Sequence, residues 1–395
     1  MIERKEIVIS GGGLAGLIAA AAFGNSGYKV LCIDPKKSKN KSQQENLDMR
    51  TTAYLQPSQI FLQKIGVWQL VDGSSAPLKT MRIIDAAGKK LTVKDFNSSD
   101  ISGTPFGWNV RNSDMRAGLL AKIKTLPNVK FEMGLSTLST TTRSSMAKVS
   151  LSNGNIVDCS LLIAADGRDS SIRTQAGVAV KYTDFDQSAL SFSVTHEVPH
   201  NNISTEVHKT GGPFTLVPLP DFEGKPCSAI VWMDNSENMD QLKSLPNTVF
   251  DNLITERSEG VLGKLTSITY RNKWPIVSQL TDYFYAERTA FIAETAHVVP
   301  PIGAQGLNLS IGDIEALLQL TDSSANDIGS LKVLKKYHQI RRPIAQSRVI
   351  GVGLLNRASK VEGTMATHAR AMGLNAIHKI KPLRHVLMQL GIGLR

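Results

Sequence analysis

The chain has 395 residues, 42% of them hydrophobic, and a formal net charge of +11; this suits a globular protein of two domains, or one large domain with a second lobe, and excludes a disordered or fibrous chain. The charge is concentrated, since Leu331 to Arg395 carries 13 Lys and Arg against one acid, Glu362; with no nucleic-acid motif beside it, this block points to an anionic membrane or an acidic partner and not to nucleic acid. Cys32, Cys159 and Cys227 lie far apart, without metal spacing or a paired framework, so a reduced cytoplasmic setting and no metal site are expected.

The first element is a β-branched strand, Ile7 to Ser10, feeding a glycine loop and an alanine-rich helix. Gly11, Gly13 and Gly16 fit G-x-G-x-x-G, with Ala20 a turn further on. Gly11 permits the tight turn, Gly13 lets a pyrophosphate approach the backbone, and Gly16 and Ala20 let the helix lie close on the sheet. The helix start then offers N–H groups and a positive dipole end to an anion. Val30 to Ile33 reads as the second strand of a βαβ unit and ends on Asp34, where a ribose hydroxyl acceptor belongs. Arg4 and Lys5 before the uncharged run Ile7 to Phe23 imitate a signal peptide, but glycines placed for a nucleotide turn break that run, and it falls short of a membrane span.

A polar loop follows from Pro35 to Glu45. Asp48 to Tyr54 then leads to an amphipathic helix, Pro57 to Ile65; Arg50 in this stretch is either a surface charge or a partner for a cofactor phosphate. Met81 to Phe96 alternates around Ala87-Gly88 as a hairpin, and Asn112 to Ile123 is a helix with Met115, Leu119, Leu120 and Ile123 on one face. Val129 to Phe131 is a strand, and Lys148 to Val157 a second hairpin about Asn153-Gly154. Leu161 to Ala165 is a buried strand that runs into Asp166-Gly167-Arg168-Asp169 and a helix start.

From Thr183 to Ile276 the pattern becomes strand-rich, with runs at Ala189 to Val194, Phe214 to Leu219 and Ser228 to Met233 and a helix at Asn247 to Ser258. Trp232, Trp274 and Phe214 in this lobe either line a cavity or pack as core. A short strand, Thr289 to Ala293, then precedes Glu294-Thr295-Ala296-His297 and the small-residue loop Pro300-Pro301-Ile302-Gly303-Ala304-Gln305-Gly306-Leu307-Asn308, with a helix from Ser310 to Leu320. Such a loop before a helix can turn backbone N–H groups toward an anionic ligand. Near the end, Pro382 can open a helix with Leu383, Val386, Leu387 and Leu390 on one side and Lys379, Lys381, Arg384 and His385 near its start and edges.

Three separated motifs together carry a resemblance: the glycine loop with Asp34 and Arg50; Ala165 to Arg173; and Glu294 to His297 with Pro301 to Leu309 and Asp313. In this combination the chain resembles the flavoprotein aromatic hydroxylases of the para-hydroxybenzoate hydroxylase fold, and within them the ubiquinone-biosynthesis hydroxylases (UbiH/UbiF type). The resemblance implies an α/β fold with an α+β second lobe: a Rossmann-like FAD-binding domain, a sheet-rich substrate domain and a C-terminal helical segment. Residues 1–75, 100–180 and 277–350 would form the FAD-binding domain, 76–99 and 181–276 the substrate domain, and 351–395 the basic helical segment. By the same resemblance Gly11, Gly13 and Gly16 hold the FAD pyrophosphate and Asp34 the adenosine ribose. Arg50 and Asn112 contact the phosphate and ribitol side, Asp166 and Gly167 shape the flavin site, and Glu294 binds a ribitol hydroxyl. Pro301 borders the flavin ring, and Gly303, Gly306, Leu307 and Asn308 belong to the loop that faces its pyrimidine edge. The chain departs from the family's usual Gly-Asp-Ala at Ala293-Glu294-Thr295, and it has Pro300 and Ser310 where the quinone branch often has His and Gly.

The implied activity is hydroxylation of an aromatic ring by dioxygen through a flavin hydroperoxide, with NAD(P)H as reductant. The cofactor carries the hard chemistry while the protein excludes water and orients the ring. Gly351-Val352-Gly353 follows no strand pattern, so no second dinucleotide fold is expected. His297 is either catalytic or a ring packed beside the flavin loop. Three functions stand: hydroxylation of a polyprenylated phenol or benzoquinol in ubiquinone biosynthesis; hydroxylation of a small aromatic acid, which would call for a carboxylate-binding Arg; and a non-catalytic FAD-bound scaffold in a quinone-synthesis complex. The only arginines from Thr183 to Ile276 are Arg257 and Arg271. A polyprenylated substrate implies peripheral contact with the inner membrane from the cytoplasmic side; the apolar stripe of the last helix either docks on the flavin domain, with its Lys and Arg solvated, or helps hold the basic C-terminal segment at that membrane.

Overall fold

A computed structural model describes residues 2–37, 50–88, 91–324, 327–360, 373 and 376–393. The polar loop expected from Pro35 to Glu45 and the lead-in at Asp48 and Met49 fall largely outside the described residues.

The central strand is Ile2–Ser10. It pairs in parallel with Val30–Asp34 on one side and Ile156–Ala164 on the other; beyond these lie Val129–Met133 and Thr289–Phe291, also parallel. Ile7 to Ile9, Val30 to Ile33 and Leu161 to Ala164 are essentially inaccessible to solvent, which explains their unbroken apolar runs: both faces of a parallel sheet are covered. The helix Leu14–Asn25 is apolar on all sides for the same reason, packed between the sheet and the helices Asn112–Lys124 and Gln305–Asp322. An antiparallel meander, Thr137–Arg143 to Met146–Leu151 to Ile156–Ala164, adds Ala147, Val149 and Leu151 to this core. Its first strand escaped the sequence reading because a solvated edge strand, Thr-Leu-Ser-Thr-Thr-Thr-Arg, needs no apolar face.

The topology brings the three motifs together. The glycine loop leaves the carboxyl end of Ile2–Ser10, Asp166 follows the carboxyl end of Ile156–Ala164, and Glu294 follows that of Thr289–Phe291. These are adjacent strands, so segments far apart in sequence converge on one edge, which is where open α/β sheets bind ligands.

The second sheet runs in the order His297–Val298, Asn272–Thr281, Val180–His196, Lys225–Asn235, Pro213–Phe222, Ile203–His208, Thr80–Asp85, Thr92–Asn97. The hairpin expected at Met81 to Phe96 thus joins this sheet, through a parallel pairing with Ile203–His208. His297–Val298, from the third motif, forms its opposite edge. Side-chain alternation sorts the aromatic residues. Phe192, Phe214, Ile230 and Trp232 point to the helices Ser236–Ser244 and Asn247–Arg257 and form a core, whereas Ala189, Ser191, Val231, Trp274 and Ile276 line the other face. A three-stranded sheet of Thr51–Leu55, Gly107–Arg111 and Ser75–Leu78 joins the two units.

The long helix Leu331–Lys360 contains Gly351 and Gly353, so that glycine pair is helical and opens no nucleotide loop. The final helix, Lys381–Ile392, has Pro382 in its first turn, and Met388 and Ile392 are the residues that dock, against Leu55, Phe96 and Phe106. Leu383, Val386, Leu387 and Leu390 are 40–53% exposed. The helix therefore docks by one face and leaves the sequence-identified stripe facing outward.

Candidate active site

The glycine loop is built as the sequence requires. Gly11 has φ +113°, and a Cβ there would lie 2.1 Å from the Ala165 carbonyl oxygen; a Cβ on Gly16 would lie 1.8 Å from the Gly11 oxygen. Gly13 differs. Its φ of −67° is open to any residue, and a Cβ there meets no protein atom within 4 Å. The space above Gly13 faces the start of the helix Leu14–Asn25, which has no side-chain cap, so its first N–H groups are available to an anion. A pyrophosphate fits these features.

Asp34 is buried; one carboxylate oxygen accepts from Gly12 N–H at 2.8 Å and the other from Lys36 N–H at 2.7 Å. Arg116 was not singled out in the sequence. It donates to the Gly12 carbonyl at 2.6 Å and lies 5.9 Å from the Phe131 ring. Its signal was available, because it sits one helical turn after Asn112.

Asn112 accepts from the Thr52 hydroxyl at 2.8 Å, and its N–H donates to the Arg50 carbonyl at 2.8 Å. The Arg50 guanidinium lies over the Trp274 ring at 4.4 Å, a cation–π arrangement. Arg50, Arg168, Glu294, Pro301 and Trp274 all line one cavity of about 330 Å³. This cavity lies between the motif-bearing edge of the first sheet and the inner face of the second. Glu294 is exposed on its wall in a short turn, with Ala293 held at φ +55°. Ala304 is likewise held at φ +55°, beside Gly303 at +64°. Non-glycine residues in the left-handed region are uncommon and cluster at functional sites.

The helix expected from Ser310 begins at Gln305. Gly306, Leu307 and Asn308 therefore occupy its first turn and not a loop. Glycines and Asn lower helix propensity and hid this in the sequence; a tertiary clamp overrides it. The Asn308 amide donates to the Ala53 carbonyl at 2.7 Å, and its oxygen accepts from Leu55 N–H at 2.9 Å. The helix has no side-chain cap, which leaves the N–H groups of Gln305, Gly306 and Leu307 without helical partners.

His297 is not among the cavity-lining residues. Its ring is buried, with Nε2 at 2.5 Å from Asp313; Asp313 is fully buried and also accepts from Arg341 Nε at 2.8 Å. Burial alone would raise the Asp313 carboxyl, but the facing His297 and Arg341 outweigh it and hold the group below the ordinary carboxylate range. This trio ties the third motif to the helices Gln305–Asp322 and Leu331–Lys360.

Asp166 accepts from the Thr295 hydroxyl at 3.0 Å and from Ile172 N–H at 3.3 Å, and Gly167 has φ +93°. The three cysteines are buried away from the cavity, and burial raises their thiols, Cys159 to about 12. Arg257 and Arg271 are spent on buried carbonyls: Arg257 donates to Thr210 and Gly212, Arg271 to Leu242, Lys243 and Leu245. Neither lines the cavity.

Known proteins agree with this architecture. "Ubiquinone hydroxylase UbiL" of Rhodospirillum rubrum is 26% identical over 98% of this chain and 89% of its own length. "Ubiquinone hydroxylase UbiM" of Neisseria meningitidis is 25% identical over 98% of this chain and 84% of its own length. In fold, the crystal structure of p-nitrophenol 4-monooxygenase PnpA from Pseudomonas putida superposes with a TM-score of 0.79, at 16% identity, over 100% of this chain and 99% of that one. The sequence profile described as "FAD binding domain" matches residues 4–350, across all three of the segments that converge on one sheet edge, and the chain belongs to the FAD-binding domain family.

Proposed function

We propose that this protein is an FAD-dependent monooxygenase that hydroxylates the ring of a polyprenylated phenol or benzoquinol intermediate in ubiquinone biosynthesis. The observation that carries the reading is the cavity. Its lobe side is apolar, with Ala189, Val231, Trp274 and Ile276, while its charged groups, Arg50, Arg168 and Glu294, come from the motif-bearing unit. Its volume of about 330 Å³ is in the range of small-molecule sites. The names of the relatives support the substrate class.

In this reading Gly11, Gly13, Gly16, Asp34 and Arg116 hold the nucleotide half of FAD. Arg50, Asn112, Asp166, Gly167 and Glu294 hold its middle, and Pro301, Gly303, Gly306, Leu307 and Asn308 border its ring. Reduced FAD supplies the activation of dioxygen, with NAD(P)H as the external reductant. The chain's own task is to bind the ring substrate against the apolar sheet face and keep water out. His297 acts through position, by fixing the third motif on Asp313.

A small aromatic acid is the second reading. It finds less support, because both lobe arginines are occupied away from the cavity. A scaffold without catalysis would bind FAD yet show no substrate-dependent oxygen uptake. Quinone-intermediate profiling of cells lacking the protein separates the readings: an accumulated prenylated ring lacking one hydroxyl supports the first, and an unchanged quinone pool overturns it.

Glu294→Ala is expected to weaken FAD binding about tenfold, because a buried ribitol hydroxyl would lose its charged acceptor, while Glu294→Asp retains most of the affinity. Titration of apoprotein with FAD checks this; equal affinity in wild type and Glu294→Ala would remove the carboxylate from the site.

We further propose peripheral contact with an anionic membrane, where polyprenylated intermediates reside. No described helix is long and apolar enough to cross a bilayer. Leu383, Val386, Leu387 and Leu390 are exposed within the most basic part of the chain, and Ile350, Leu354 and Leu355 of the long helix are more than half exposed. Apolar residues among Lys and Arg suit an anionic interface, at about 1 kcal/mol per basic residue near the surface. Because the stripe faces outward, Leu383→Glu with Leu387→Glu should leave FAD content intact and reduce sedimentation with phosphatidylglycerol vesicles at least tenfold. Undiminished binding would exclude this surface.

A further inference from the structure

The turn that carries Glu294 is stitched to the second motif by one side chain. Thr295 is fully buried. Its hydroxyl accepts from Gly167 N–H at 3.2 Å and donates to the Asp166 carboxylate at 3.0 Å. Its carbonyl accepts from Arg173 Nη1 at 3.0 Å, and Nη2 of the same guanidinium donates to the Arg168 carbonyl at 2.9 Å. Arg173 is itself buried. Its charge, weakened by that burial, is supported by Asp166 and Asp169.

These contacts join two separate connections. The parallel ladder ends with the Ile292 N–H on the Ala164 carbonyl at 3.1 Å, and both the Asp166–Gly167 turn and the Glu294 turn lie beyond the ends of their strands, Ile156–Ala164 and Thr289–Phe291. Gly167 has φ +93° and Ala293 φ +55°, so both turns are irregular, and these cross-links tie one to the other. A hydroxyl supplies one donor and two acceptor positions, and Thr295 uses both kinds. An isosteric residue without the oxygen would keep the packing but leave Gly167 N–H and one Asp166 oxygen without this partner.

We propose that Thr295 is a positioning residue of the FAD site: its hydroxyl sets the Asp166–Gly167 turn against the Glu294 turn, so that both meet the cofactor in one geometry. This rests on the reading that those turns contact FAD. The prediction is separable from overall stability. Thr295→Val removes the hydroxyl at nearly constant volume, and Thr295→Ser keeps it.

The test uses full-length protein stripped of flavin. FAD affinity is titrated by fluorescence, the bound flavin's visible spectrum is recorded, and the apoprotein is melted. Thr295→Val is expected to weaken FAD about tenfold and to alter the spectrum, and Thr295→Ser to stay within about threefold with a wild-type spectrum. In an Asp166→Ala background Thr295→Val should add little, because residues acting through one another are non-additive. The proposal is overturned if Thr295→Val binds FAD like wild type while only its melting temperature falls, or if the two substitutions add in full. Should Thr295→Val not accumulate, Thr295→Ala carries the same comparison; failure of both to yield folded apoprotein would assign Thr295 to folding alone and overturn the proposal. A wild type that binds no FAD would instead sink the cofactor assignment.

Discussion

Gly13→Val should empty the flavin site and leave the fold standing. Purified variant is expected to be colourless, with FAD affinity reduced at least a hundredfold and an apoprotein melting temperature close to wild type. The asymmetry follows from the loop. A Cβ at Gly13 meets nothing in the protein within 4 Å, and the backbone there is in an ordinary extended conformation, so a branched side chain costs the apoprotein little. The same side chain fills the space that a pyrophosphate needs beside the uncapped helix start. Gly11→Ala is the control with the opposite signature. At φ +113°, and 2.1 Å from the Ala165 carbonyl oxygen, it must distort the contact between the first and second motifs, so apoprotein stability itself should fall. Retained yellow colour in Gly13→Val would mean the nucleotide lies elsewhere.

Asp313→Asn should be among the most destabilising single changes outside the glycine loop. Asp313 is fully buried and receives both Arg341 and His297. Neutralising it leaves the Arg341 guanidinium, itself largely buried, without its anion. Breaking a buried pair from one side costs about 3–5 kcal/mol, about 4–6 °C in melting temperature for a chain of this size. The pH dependence has a definite sign. The folded-state carboxyl is held below its ordinary value, so its contribution is present above the unfolded value of about 3.9 and is lost as pH falls through the lower folded value. Wild type should therefore lose its advantage over Asp313→Asn as the pH is lowered from about 5 toward 2. Melting curves across that range provide the check. A parallel pair of curves, or a difference under about 2 °C at neutral pH, would show that the trio does not support the third motif energetically.

Much of the site was legible in the chain because its chemistry is local. A glycine loop after a β-branched strand, with an acid ending the next strand, reads as a tight strand-to-helix turn through neighbouring residues alone, and Gly11 and Gly16 sit in close contacts where no side chain fits, with Asp34 against the loop at Gly12. Buried parallel strands betray themselves by continuous apolar runs, and the helix Asn112–Lys124 by its period. The paired outlook for the last helix was also legible as a choice between docking and outward display. Its sequence shows a stripe, but two faces of a short helix can each be apolar enough to bury.

Only tertiary structure decided the rest. The order of strands put three distant turns on one edge, and no residue in those turns encodes that adjacency. One-residue parity in the second sheet turned Trp274 into the cavity and Trp232 and Phe214 into the helix-covered core, a difference that aromatic character alone cannot reveal. The helix Gln305–Asp322 starts through glycines because Asn308 is clamped to Ala53 and Leu55, a contact across some 250 residues of chain that outweighs local propensity. Arg116 on Gly12, Thr295 between Asp166 and Gly167, and His297 on Asp313 are likewise long-range hydrogen bonds. Sequence fixes which groups can donate and accept, but which of them meet depends on how the sheets and helices close around one another.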